Sequence, residues 1–277
     1  QIMALKLMYI TIRPEIAQIA ETAGVDRIFI DLEYIGKADR QGGMDTVQSH
    51  HTLDDVKRMS DAITTAELLV RVNPIHDATE QYCSSEEEIH TAIENGADIV
   101  MLPFFKTVDE VKQFLAAVNG RVKTMLLLET PEAVEIVDRI LMLDGIDYIH
   151  IGLNDLSLGY GMKFMFELLT DGTVERLCNR FREKGMMYGF GGIASLGKGI
   201  IPAEMIIKEH YRLGSTCAIL SRSFCNVNKI NHMGVISSTF VNGMREIREF
   251  EAECEKHIAY FMDNKRKIAK AVGAFLK

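Results

Sequence analysis

Four stretches of the chain set charged or amide side chains directly after short apolar runs. These are Asp31 and Glu33 in IFIDLEY, Arg71 and Asn73 in LLVRVNP, Glu129 in LLLET, and Asn154 with Asp155 in HIGLNDLSLGYG. An apolar run of this length reads as a buried strand, so the polar group beyond it stands beside the core and within reach of a ligand. Glu129 and Asp155 are oxygen donors without a nearby cysteine or obligatory histidine, a set that suits Mg²⁺ or Mn²⁺. The competing account has Asp155 capping the following turn and Glu129 pairing with a surface lysine. Arg71 closes an otherwise apolar run and must meet an anion or a polarised oxygen to offset its desolvation; Asp31 or Glu33 is the expected partner within the chain.

The elements that must position these groups announce themselves by repetition. Residues 24–31, 96–103 and 145–152 each read glycine, any residue, aspartate and then a short apolar run. A glycine of this kind closes the preceding helix in a left-handed conformation, so the pattern punctuates helix and strand. Further apolar runs at 7–12, 68–72, 124–128, 187–190 and 218–220 bring the total to eight. They are nearly continuous rather than alternating, as in a parallel sheet covered on both sides. Helix starts lie between them: Ser85 with Glu88 and Thr107 with Glu110 have capping-box spacing, and Thr130 precedes Pro131. Eight such units predict a (β/α)8 TIM barrel, a single domain over residues 1–277 with a helical extension over 228–277. An open doubly wound sheet with a helical tail is the alternative. In a barrel these polar strand ends fall on the C-terminal face, where ligands bind.

Composition narrows the function. A net charge of -8 argues against a nucleic-acid partner, which would need a concentrated basic face. Five cysteines, odd in number and scattered, lack zinc-site spacing and suit a reducing compartment. No run of about 18 apolar residues is present to span a membrane, and no signal-peptide pattern opens the chain, so a cytoplasmic protein is expected. Residues 189–199 are glycine-rich, as phosphate-cradling loops are, although close backbone approach explains glycines equally well. Phe240, Met244, Ile247, Glu251, Cys254, Ile258 and Phe261 mark a helical face that would pack on the barrel or contact another subunit.

Taken in order and spacing from about residue 5 to about residue 225, IFIDLEY, LLVRVNP, LLLETPEAV and HIGLNDLSLGYG resemble the HpcH/HpaI aldolase and citrate lyase β-subunit family. The resemblance implies a metal-dependent carbon-carbon lyase that cleaves a 4-hydroxy-2-oxo acid to pyruvate and an aldehyde. Glu129 and Asp155 would then bind Mg²⁺ or Mn²⁺, and backbone N–H groups at Leu153, Asn154 and Asp155 would hold the pyruvate carboxylate. Arg71 would face the enolate oxygen. No lysine sits convincingly for Schiff-base chemistry, since Lys123 opens the run at 124–128 at the wrong face and Lys106 lies beyond the run that ends at 103. Family members assemble through helices after strand 8, which implies a homo-oligomer.

Two departures stand out. The aldolase branch carries a histidine where this chain has Tyr34, in proton transfer with the aspartate at Asp31, and a glutamine where it has Leu127. The long segment 36–51 follows directly, and His50 or His51 is the candidate replacement for the histidine. Glu33, Tyr34, Lys37 and Arg40 are candidate substrate contacts, the last two for an acid or phosphate group on the aldehyde half. Rival expectations are an acyl-CoA lyase, a phosphate-binding barrel isomerase or synthase, and a non-catalytic barrel with a structural metal.

Overall fold

The computed structural model describes residues 4–41 and 50–277. Eight strands, β1 (Lys6–Ile10), β2 (Arg27–Asp31), β3 (Glu67–Arg71), β4 (Ile99–Leu102), β5 (Lys123–Leu128), β6 (Tyr148–Ile151), β7 (Met187–Ile193) and β8 (Cys217–Leu220), alternate with helices. They pair in parallel in chain order and close β1 onto β8, which makes the expected (β/α)8 barrel with added C-terminal helices.

The glycine–aspartate repeat explains how strands are joined. Gly24, Gly96 and Gly145 take φ of +98°, +105° and +93°, where a Cβ would be strained. Two residues later, Asp26 accepts the N–H of Leu7, Asp98 that of Leu68 and Asp147 that of Thr124, at 2.8, 2.7 and 2.9 Å. Each aspartate stands just before an even-numbered strand and pins the start of the preceding odd-numbered one. The helix stop and the strand register are thus set by one short motif.

Strand periodicity then sorts side chains between two layers. Met8, Phe29, Leu69, Met101, Met125 and Leu127 pack inside the barrel, apart from the larger layer between strands and helices. In the β2–β3 register Arg27 is opposite Glu67, Phe29 opposite Leu69, and Asp31 opposite Arg71. The inner face is therefore charged at both ends and apolar between. The upper charged layer becomes the site.

Thr107 and Glu110 form the expected capping box, and Thr130 accepts the N–H of Ala133. The other expected box is shifted by one residue: Ser84 and Glu87, not Ser85 and Glu88, cap the helix Ser85–Glu94. Glu88 is thereby released to point into the protein, where it has a different task.

The extension comprises the helices Met233–Glu255 and Phe261–Phe275. Phe240, Met244, Ile247 and Cys254 are buried as expected, but the face does not continue, because Ile258 lies between the helices and is 63% exposed. Glu251, the one charge on the face, accepts hydrogen bonds from Leu5 N–H and Tyr211 Oη and pairs with Arg248. Arg248 also reaches Asp26, so the extension clamps the start of β1 and β2. Among the described residues no helix is long and apolar enough to cross a membrane.

Candidate active site

The C-terminal mouth of the barrel gathers Asp31, Glu33, Arg71, Glu129 and Asp155, with Lys37 and Arg40 from the short helix Lys37–Gln41 that follows β2. Arg71 grips Asp31 with Nε at 2.8 Å and Nη2 at 2.7 Å, the bidentate geometry that suits a guanidinium. Lys37 Nζ lies 2.5 Å from Oδ2 of the same carboxylate, the oxygen that Arg71 Nη2 also contacts. Burial works to raise Asp31, but Arg71 and Lys37 overcome it and hold the carboxyl well below the usual carboxylate range. Asp31 thus meets Arg71, as its place at the end of β2 led us to expect, and anchors Lys37 as well.

Glu129 behaves in the opposite way. Burial, then the charges of Glu33 and Asp155, push its carboxyl well above the usual range against the pull of Arg71 and Arg40. Its Oε1 accepts the N–H of Phe104, a non-glycine residue held at φ +50°. A side chain at Gly152 would put its Cβ 2.7 Å from Glu129 Oε2, so the glycine that ends β6 leaves the room this carboxylate occupies. Glu129 and Asp155 line one cavity of about 460 Å³, together with Arg40, Phe104 and Lys106.

Other predicted residues fall at varied distances from this centre. Leu153 and Asp155 are buried in the first turn of the helix Leu153–Gly159, which starts without a side-chain cap; Asn154 is half-buried there. Its first N–H groups have no acceptor within the helix. Glu33 is buried, 2.6 Å from Arg40 and 3.6 Å from Arg71. Tyr34 is 67% exposed, and His50 is exposed beside its ring, so neither stands in the charged cluster. His51 packs against β2, its Nδ1 accepting the N–H of Asp31 at 2.8 Å, which leaves the proton on Nε2. Burial lowers it to about 4, so it is a neutral donor at physiological pH and a poor base. Of the segment 36–51, residues 42–49 lie outside the described residues. Lys106 reaches the mouth of the cavity, half-exposed and 3.3 Å from Glu132.

Sequence reasoning missed the network that holds the β2 loop. Asn73 Oδ1 accepts the N–H groups of Tyr34 and Ile35, while its Nδ2 donates to Leu32 O and to Glu88 Oε2. Glu88, fully buried, also accepts from Asn73 N–H and from Tyr82 Oη. Asn73 is visible as a strand-end residue, but the capping-box spacing of Ser85 and Glu88 conceals its partner. Close approach explains several glycines of the run 189–199: a Cβ at Gly189 would meet Cys217 O, one at Gly191 Leu153 and one at Gly199 Ile201 O, whereas Gly197 faces open space at φ +75°.

The donor set fits a hard divalent cation. Among the described residues no three His, Cys, Asp or Glu side chains form a closed cage. Two buried carboxylates facing one cavity, one of them destabilised by the other's charge, suit an ion that takes its remaining ligands from water and substrate.

The buried histidines make acid lability predictable. His51 and His150 are lowered to about 4 and His210 to about 3, in each case chiefly by burial, from 6.5. At these sites the unfolded chain therefore takes up protons first as pH falls, so the histidines' contribution to stability is full above 6.5 and declines from there towards 4. His150→Gln should lose less of its urea midpoint between pH 7 and pH 5 than wild type does; an identical pH dependence in the two proteins would contradict the burial of this ring.

The family profile of HpcH/HpaI aldolase/citrate lyase matches residues 7–167. An HpcH/HpaI aldolase from Desulfitobacterium hafniense DCB-2 resembles the chain with TM-score 0.60 and 16% identity, over 89% of this chain and 93% of that one. An HpcH/HpaI aldolase/citrate lyase family protein from Burkholderia cenocepacia J2315 does so with TM-score 0.57 and 15% identity, over 88% and 95%. At these identities the two structures bear on the fold alone. No curated protein matches the chain in sequence.

Proposed function

The chain belongs to the HpcH/HpaI aldolase/citrate lyase family, and from that premise we propose that it is a Mg²⁺- or Mn²⁺-dependent carbon-carbon lyase of the class II aldolase type. The reaction is reversible cleavage of a 4-hydroxy-2-oxo acid to pyruvate and an aldehyde. The observation that carries this reading is the pair Glu129 and Asp155, buried on one cavity beside Arg71 and inside the matched stretch.

Glu129 and Asp155 would hold the cation, which when bound supplies Lewis-acid stabilisation of charge growing on the keto oxygen. Arg71 spends two of its donors on Asp31, which fixes the guanidinium plane and leaves its other N–H groups for that same oxygen. A donor fixed before the reaction needs no reorganisation as charge develops, so it favours the transition state over the ground state. The uncapped N–H groups of Leu153, Asn154 and Asp155 suit the oxo acid's carboxylate. Lys37 is engaged by Asp31, so its work is to hold that anchor rather than to form a Schiff base.

Proton NMR of pyruvate in D₂O tests the reading. Folded protein with Mg²⁺ should erase the methyl signal by exchange, and EDTA should stop it. Absence of exchange would sink the pyruvate assignment, and exchange at the acetyl methyl of acetyl-CoA instead would move the substrate to the thioesters.

A further inference from the structure

Arg40 stands where the carboxylates of the cavity meet. Its Nη2 is 2.6 Å from Glu33 Oε1 and 3.5 Å from Asp155 Oδ2, and its guanidinium carbon is 3.8 Å from the centre of the Phe104 ring. Phe104 is the residue whose N–H binds Glu129, so the platform beneath Arg40 and the orientation of Glu129 are one unit. Glu129 lines the same cavity as the guanidinium. Arg40 thus acts on Glu33, Glu129 and Asp155 together, alongside Arg71, which lies 3.6 Å from Glu33 and also acts on Glu129.

We infer that Arg40 is a tethered counter-cation that competes with the divalent ion for the charge of Glu129 and Asp155, and withdraws onto Glu33 when the ion binds. The inference rests on the metal reading above. A divalent ion on Asp155 repels the guanidinium beside it and takes up the carboxylate charge that attracts Arg40, so the long contact is the one that gives way. The geometry makes retreat inexpensive for Arg40: the short bond to Glu33 persists and only the long contact to Asp155 is given up. The helix itself need not leave, because Lys37 ties its first turn to Asp31. Functionally, the tethered cation offsets part of the repulsion among the three carboxylates before the ion arrives and sets a threshold concentration for its binding.

Mn²⁺ binding, read from the electron paramagnetic resonance of the free ion and without substrate, tests this on wild type, Arg40→Gln, Arg40→Lys and Glu129→Gln. Circular dichroism confirms that each is folded. Arg40→Gln should bind Mn²⁺ roughly tenfold more tightly, about the worth of one charge-assisted hydrogen bond. Arg40→Lys should fall between Arg40→Gln and wild type, and Glu129→Gln should bind weakly. Unchanged or weaker binding by Arg40→Gln, with wild type binding normally, overturns the competition and leaves the metal reading standing. Failure of all four proteins to bind Mn²⁺ removes both.

Discussion

Glu129→Gln should yield a protein that is more stable than wild type in EDTA and close to inert with Mg²⁺. Burial and the charges of Glu33 and Asp155 raise the Glu129 carboxyl far above its unfolded range. The sign follows from linkage: the folded state keeps this proton longer than the unfolded state, so stability falls as pH rises above 4.5 until the folded group also ionises. Glutamine keeps the volume and the oxygen that accepts the Phe104 N–H while removing the charge. A gain of about 1 kcal/mol is the usual scale when an active-site strain is relieved. The same change deletes one of the two carboxylate ligands proposed for the cation. Lewis-acid stabilisation is worth several kcal/mol, so Mg²⁺-dependent deuterium uptake by pyruvate should fall by about a thousandfold. Thermal melts in EDTA and exchange rates in Mg²⁺ read the two effects separately. A variant that keeps its exchange rate would strike Glu129 from the ligand set, whatever its melting temperature.

What the amino-acid sequence reveals about this site depends on how local the determining physics is. Asp31, Arg71 and Glu129 are legible because a strand of known phase puts its end residues on a known face, and the glycine–aspartate motif marks where three strands begin. Their partners are harder to read. Arg71 is expected to meet Asp31 or Glu33, and it takes both, closely and at longer range. Lys37 and Arg40 are visible only as charges in a loop; that loop folds into a short helix, which turns Lys37 onto Asp31 and Arg40 over Phe104. His51 illustrates the limit, since it follows β2 closely enough in the chain to be a candidate, but its neutrality depends on burial and on a backbone donor no pattern encodes. Glu88 reads wrongly as a cap because Ser84 and Ser85 offer two capping boxes one residue apart, and only tertiary contact with Asn73 decides between them. The helical face after β8 misleads at Ile258 for a similar reason, as apolar spacing continues where the helix does not.

Asp31→Ala should be among the most destabilising single changes in the upper layer of the barrel, by about 3–5 kcal/mol, the scale for removing one partner of a buried ion pair. The carboxylate is 2% exposed and is the shared counter-ion of Arg71 and Lys37. Without it, the two cations are left near each other with Glu33 at 3.6 and 3.9 Å as their nearest carboxylate. The cost is therefore repulsion and unmet desolvation as much as lost hydrogen bonds. Asp31→Asn should lie between, since the amide oxygen still accepts from Arg71 but the amide carries no charge for Lys37. The urea midpoint should fall with the slope unchanged, which separates lost stability from a changed unfolded state. Activity should fall further than stability alone explains, because Arg71 then lacks the fork that fixes its plane and Lys37 no longer holds the helix that carries Arg40. A midpoint equal to wild type would mean that Glu33 suffices as the anchor of both cations, and the anchoring role of Asp31 would pass to it.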